Sequence, residues 1–128
     1  MTLFPGVILL TDSRVLEMPH DKLAVVLSEK IDGWVGLCII NTDASTETKK
    51  RNFQIKLLSK NYQNVLTHDS YIDCGEVKQI KKDVIDFWHN EGKIGSRGSL
   101  KEEDFELVRN AGKNNISFNK REKSYFEG

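Results

Sequence analysis

Four residues in the first third of this 128-residue chain have the types that acid–base chemistry on an anion needs: His20, Asp21, Lys22 and Thr42. His20 and Asp21 can accept or release a proton, and an unperturbed histidine does so near neutral pH. Lys22 supplies a compact positive charge, and Thr42 a hydroxyl that donates or accepts a hydrogen bond. Together they would move a proton beside a fixed cation. Asp21 and Thr42 are far apart in sequence, so only the fold can bring them together.

The stretch from His20 to Asp43 contains the elements that would do so. Leu23-Ala24-Val25-Val26-Leu27 and Val35-Gly36-Leu37-Cys38-Ile39-Ile40 are apolar runs of strand length, rich in β-branched residues. Between them, Ser28 to Gly33 is polar and carries the turn signal Asp32-Gly33. Neither run alternates with polar residues, which predicts two neighbouring antiparallel strands buried on both faces. The outer ends of such a pair lie together. His20, Asp21 and Lys22 then meet Asn41, Thr42 and Asp43 at one rim. An ordinary polar strand end would have the same composition.

Bulk properties narrow the function classes. A chain of this length forms one domain with one core. Nineteen basic residues balance nineteen acidic ones, so any nucleic-acid partner must be held by a local patch or a shaped groove. No apolar run approaches the roughly 20 residues of a membrane helix. The start, MTLFPGVILLTDSR, lacks the basic region and small-residue cleavage site of a signal peptide. Cys38 and Cys74 have no metal-ligand spacing and read as buried thiols of a reducing, cytoplasmic compartment.

Along the chain, residues 6–11 form a first strand after Pro5-Gly6, and 11–21 a polar loop in which Pro19 disfavours helix. Residues 43–52 read as a mobile surface loop ending in Lys49-Lys50-Arg51. Residues 53–57 alternate as a half-exposed strand, 58–67 as a turn or short helical segment, and 70–74 and 76–80 as strands separated by a bend at Gly75. Val84, Ile85 and Trp88 mark a short amphipathic helix over 82–89, and 90–98 is a glycine-containing loop. Ser99-x-x-Glu102 is a capping-box pattern opening a second helix, with Leu100, Phe105, Leu107, Val108 and Ala111 as its apolar positions and Gly112 as its C-cap. The polar remainder, 113–128, is expected to fray. The result is about five or six antiparallel strands, curled to remove their edges, followed by one or two helices.

This order resembles the MazF/PemK family of toxin endoribonucleases from about Gly6 to Ala111. The phrase Asp69-Ser70-Tyr71-Ile72-Asp73-Cys74-Gly75-Glu76-Val77-Lys78-Gln79-Ile80 is similar to the family's late strand pair. Gly98-Ser99-Leu100 through Ala111 resembles its terminal helix, and Leu23–Leu27 and Ile39-Ile40-Asn41-Thr42 stand where it has two central strands. The resemblance implies a mainly β fold, an SH3-like antiparallel barrel with a terminal helix, over residues 1–112, with 113–128 as a tail. It also implies a homodimer that cuts single-stranded RNA without a metal or other cofactor and is restrained by an antitoxin peptide.

The implied site maps unevenly. Lys22 stands where the family has the Arg of an Arg-Pro pair, and Thr42 matches its third-strand Thr. His20 or Asp21 fills the place of a His or acid before the second strand. Where PemK-like members carry Arg-Cys-Asp, this chain has Asp73-Cys74-Gly75, leaving Asp73 or Glu76 as substitutes. Cleavage through the ribose 2′-hydroxyl then needs His20 or Asp21 as base, Lys22 on the phosphate and Thr42 as an orienting hydrogen bond. Lys49, Lys50 and Arg51 would touch RNA phosphates, or be a solvated loop. His68 reads as a turn residue, and His89 suits a helix C-terminus. Trp34 and Trp88 are candidate dimer anchors. The alternative is a non-catalytic SH3-like module that kept the fold and lost cleavage, or an accessory inhibitor protein.

Overall fold

The computed structural model describes residues 1–44 and 53–127. Lys49, Lys50 and Arg51 therefore lie outside the described residues. The strands are β1 (Val7–Thr11), β2 (Lys22–Glu29), β3 (Trp34–Asn41), β4 (Gln54–Leu57), β5 (Ser70–Asp73), β6 (Lys78–Lys81) and β7 (Ile94–Ser99). Helix α1 spans Lys82–Asn90, α2 spans Glu102–Lys113 and α3 spans Lys120–Ser124, and a single 3-10 turn covers Ser59–Asn61.

All seven strands form one antiparallel sheet in the order β4-β5-β3-β2-β1-β7, with β6 joined to β3 off that path. β3 forks the sheet: Trp34 to Leu37 pair with β6, whereas Ile40 and Asn41 pair with β5. The fork curls the sheet into a barrel-like form. The central strands are buried on both faces, as their unbroken apolar runs predict. Val25, Leu27, Cys38 and Ile40 pack into one cluster with Ile72, Phe105 and Val108. Ala24, Val26, Leu37 and Ile39 point the other way, into a cluster with Leu9, Ile80 and Ile85. Ile55, in the strand expected to be half-exposed, is half-buried against the first cluster.

Five expectations are corrected, all beyond residue 90. Residues 94–99 are not loop but β7, an edge strand paired with β1 from Val7↔Ser99 to Thr11↔Ile94. Its composition, IGSRGS, has low strand propensity, and the pairing with β1 overrides it. Ser99 consequently ends a strand and caps nothing. The start of α2 is instead satisfied by Tyr62, whose hydroxyl accepts the Lys101 N–H at 3.0 Å and donates to Asp104 Oδ2 at 2.5 Å. Leu107 is exposed on this helix. Gly112 is not a C-cap, because α2 continues through Lys113.

The tail does not fray. Asn119 caps α3 by accepting the Glu122 N–H at 2.8 Å, while Glu122 Oε1 accepts the Asn119 N–H at 2.9 Å. Arg121 reaches Asp32 Oδ2 at 3.1 Å and Gln79 Oε1 at 3.1 Å, and Ser28 Oγ donates to the Tyr125 carbonyl at 3.0 Å. Tyr125 and Phe126 are then buried in the first cluster.

Candidate active site

The register puts the expected residues at one rim. Leu23 pairs with Ile40 across β2 and β3, and continuing that register sets Lys22 opposite Asn41 and Asp21 opposite Thr42. Ile40 and Asn41 pair with Ile72 and Tyr71 of β5, which brings Ser70 beside Thr42 in turn. Leu10 of β1 faces Leu23. The start of β2, the exit of β3 and the start of β5 thus enclose a cleft of about 200 Å³, lined by Asp21, Lys22, Asn41, Thr42, His68 and Ser70 over a floor that includes Leu10, Leu23, Ile40 and Leu66.

Lys22 is half-buried there, with Nζ donating to Asn41 Oδ1 at 3.3 Å and no ion pair among the described residues. Its carbonyl accepts the buried Thr11 hydroxyl at 3.0 Å, which fixes the backbone from β1. Asp21 is exposed, with Oδ1 accepting the Ser13 N–H at 2.9 Å. Thr42 is exposed at the mouth. His20 is exposed and does not line the cleft.

The histidine in the cleft is His68. Its loop is pinned on both sides. Asp69 Oδ1 accepts the Ser59 N–H at 2.8 Å, a bond that holds the Asp69 carboxyl below its ordinary pKa, and Ser70 Oγ donates to the His68 carbonyl at 3.1 Å. Thr67 Oγ1 lies 3.2 Å from His68 Nδ1, and Nε2 has no partner among the described residues. The sequence signal for His68 was its place two residues before β5. It becomes informative once β5 is known to pair with the exit of β3 rather than elsewhere.

Asp73 and Glu76 do not join this cleft. Asp73 sits at the other end of β5, buried, with Oδ1 accepting the Gly75 N–H at 2.9 Å. Glu76 pairs with Lys78 Nζ at 2.9 Å. Between them Cys74 is buried against Cys38, whose thiol is pushed well above its ordinary pKa by the hydrogen bond with Cys74 and by burial. Among the described residues, no group of three or more His, Cys, Asp or Glu is placed to hold a metal ion, and no helix is long and apolar enough to cross a membrane.

The curled antiparallel sheet, forked at β3 and backed by C-terminal helices, is a MazF-like fold. The chain is similar to the Mycobacterium tuberculosis toxin MazF-mt6, with a TM-score of 0.57 and 12% identity over 89% of this chain and 98% of that one. No family model and no curated protein matches the sequence. At that identity the likeness defines the fold, in agreement with the resemblance read from Gly6 to Ala111.

Proposed function

We propose that the chain is a metal-independent endoribonuclease of a toxin–antitoxin system that cuts single-stranded RNA in the Lys22 cleft. The observation that carries this reading is the convergence of an acid, a cation, a hydroxyl and a histidine on one cleft of a MazF-like fold. In the proposed reaction Asp21 takes the ribose 2′-hydroxyl proton, O2′ attacks phosphorus, and the bond to O5′ breaks. His68 gives a proton to the leaving O5′. Lys22 Nζ stabilises the charge that grows on the non-bridging oxygens, and Thr42 orients the phosphate by a hydrogen bond. The products are a 2′,3′-cyclic phosphate and a 5′-hydroxyl. The same reading gives the chain an antitoxin partner and a second copy as neighbour. Val84 and Phe87 are exposed beside the half-buried Trp88 and would suit that contact.

The second reading is a non-catalytic binding module of the same fold. Lys22 in the place of the family's arginine favours it, because a lysine does not make the planar two-point phosphate contact. Incubating the protein with a varied, unstructured RNA pool in chelator separates the two. New 2′,3′-cyclic phosphate ends support the enzyme, and their absence leaves the binding module.

A further inference from the structure

Beside the Lys22 cleft lies a second groove of about 280 Å³, and the two share Leu10 and Asp21 as a common wall. Its far side is formed by Lys93, just before the edge strand β7, and by Gly95 and Arg97 within it. We propose that Lys93 and Arg97 form a subsite for a phosphate adjacent to the scissile one, so that a single RNA strand runs from the Lys22 cleft across Asp21 onto β7. This rests on the reading of the cleft as an RNA-cleaving site.

Both cations are built into the backbone. In the β1–β7 ladder Ile8 pairs with Gly98 and Leu9 with Ser96, so Arg97 is the extra residue of a β-bulge. A bulge turns one side chain out of the strand's alternation. Gly98 at φ +140° follows it, a backbone conformation that favours glycine. The Arg97 side chain folds along the strand over Gly95: a Cβ on that glycine would lie 3.1 Å from Arg97 Nη1. Among the described residues, the Arg97 side chain donates only to the adjacent Ser96 carbonyl, at 3.4 Å.

Lys93 is fixed by the turn that ends α1. Gly92 N–H donates to the His89 carbonyl at 3.0 Å and Lys93 N–H to the Trp88 carbonyl at 2.8 Å, with Gly92 at φ +74°. These are the two bonds of a Schellman motif. The Lys93 carbonyl then accepts the Asp12 N–H at 2.8 Å, which ties the groove to the end of β1. Neither Lys93 nor Arg97 holds an ion pair among the described residues. Of the two carboxylates in the wall, Asp12 is paired with Arg14 Nε at 2.9 Å, while Asp21 accepts only the Ser13 N–H, through Oδ1, and keeps its charge on the side of the Lys22 cleft. Lys93 and Arg97 are the cations on the far wall of the groove, where an anion that passes Asp21 would meet them.

The test uses a fluorescein-labelled octamer RNA pool carrying 2′-fluoro sugars, which removes the attacking hydroxyl so that binding is read without cleavage. Anisotropy gives the affinity at several salt concentrations. Each phosphate contact on a single strand contributes a slope of about −0.7 in log affinity against log salt. The double variant Lys93→Gln/Arg97→Gln should bind about tenfold more weakly and lose about 1.4 of that slope. Arg97→Lys should keep its share of the slope, because the charge remains. Both side chains are outside the core, and an unchanged thermal midpoint checks the variants' fold. If wild type binds the pool and the double variant matches it in affinity and slope, the subsite is overturned and the cleft reading stands. If wild type does not bind at all, both fall.

Discussion

Lys22 Nζ reaches Asn41 Oδ1 at 3.3 Å across β2 and β3, one step beyond the Leu23–Ile40 pair, and no carboxylate neutralises it among the described residues. A half-buried cation held by a neutral amide remains available to an anion. Lys22→Ala should therefore lower RNA cleavage by on the order of 10²–10³, the usual effect of removing one electrostatic contact to a transition state. The thermal midpoint should hardly move, since a partly exposed charge contributes little to stability. Lys22→Arg should keep or raise the rate by adding a two-point phosphate contact. Thr42→Val should cost less than Lys22→Ala, because it removes one neutral hydrogen bond. A Lys22→Ala protein that cleaves as fast as wild type would move the site elsewhere.

The two histidines of this region should separate cleanly. His68 lines the cleft and His20 does not. His68→Ala should lower the cleavage rate by roughly 10²–10⁴, the range for loss of a positioned proton donor. His20→Ala should leave it within a factor of a few. Single-turnover cleavage of one RNA by the two variants decides the matter, and the reverse ranking would restore His20 as the catalytic histidine.

What the sequence made legible follows from where the information is local. The central strands announced themselves because each is apolar along its whole length, and the rim followed from their antiparallel pairing. His68 was hidden because its position depends on β5 pairing with the exit of β3, a contact between distant segments. β7 was hidden because glycine and serine replace the β-branched residues that mark strands, and only the ladder with β1 makes it one. Ser99-x-x-Glu102 misled because the same spacing can end a strand. Asn119-x-x-Glu122 carries a comparable local signal and does cap a helix, but a charged tail gave no apolar period to support it.

Asp12 gives a pH test near the second groove. The Arg14 guanidinium, aided by the Arg14 N–H, holds its carboxyl down to about 2. A depressed folded value means that its contribution to stability is complete above the ordinary carboxylate pKa of about 4. That contribution is lost as the pH falls from there through about 2. Carboxyl NMR should show Asp12 titrating near the lower limit. Arg14→Gln should raise the midpoint part of the way back, since the Arg14 backbone bond to Oδ1 at 2.9 Å survives the change. An unshifted midpoint in the variant would remove the guanidinium as the cause.

Gly112 lies directly under the Phe126 ring, so that a Cβ on the glycine would overlap Cγ and both Cδ atoms. Gly112 is inside α2, where alanine is ordinarily better than glycine by up to about 1 kcal/mol. Here the overlap should win. The clash falls on the base of a buried ring rather than on a flexible end, and overpacking of this kind costs about 1–3 kcal/mol. Gly112→Ala should therefore lower the urea midpoint, with a net loss of up to about 2 kcal/mol after the full propensity gain. Phe126→Ala should cost more, about 3–5 kcal/mol, because it empties a fully packed site. The diagnostic measurement is the double variant. With the ring gone, Gly112→Ala has nothing to strike and should become neutral or stabilising, giving an interaction energy of opposite sign to its single effect. An equal loss in both backgrounds would mean that the tail is not seated on α2 through this pair.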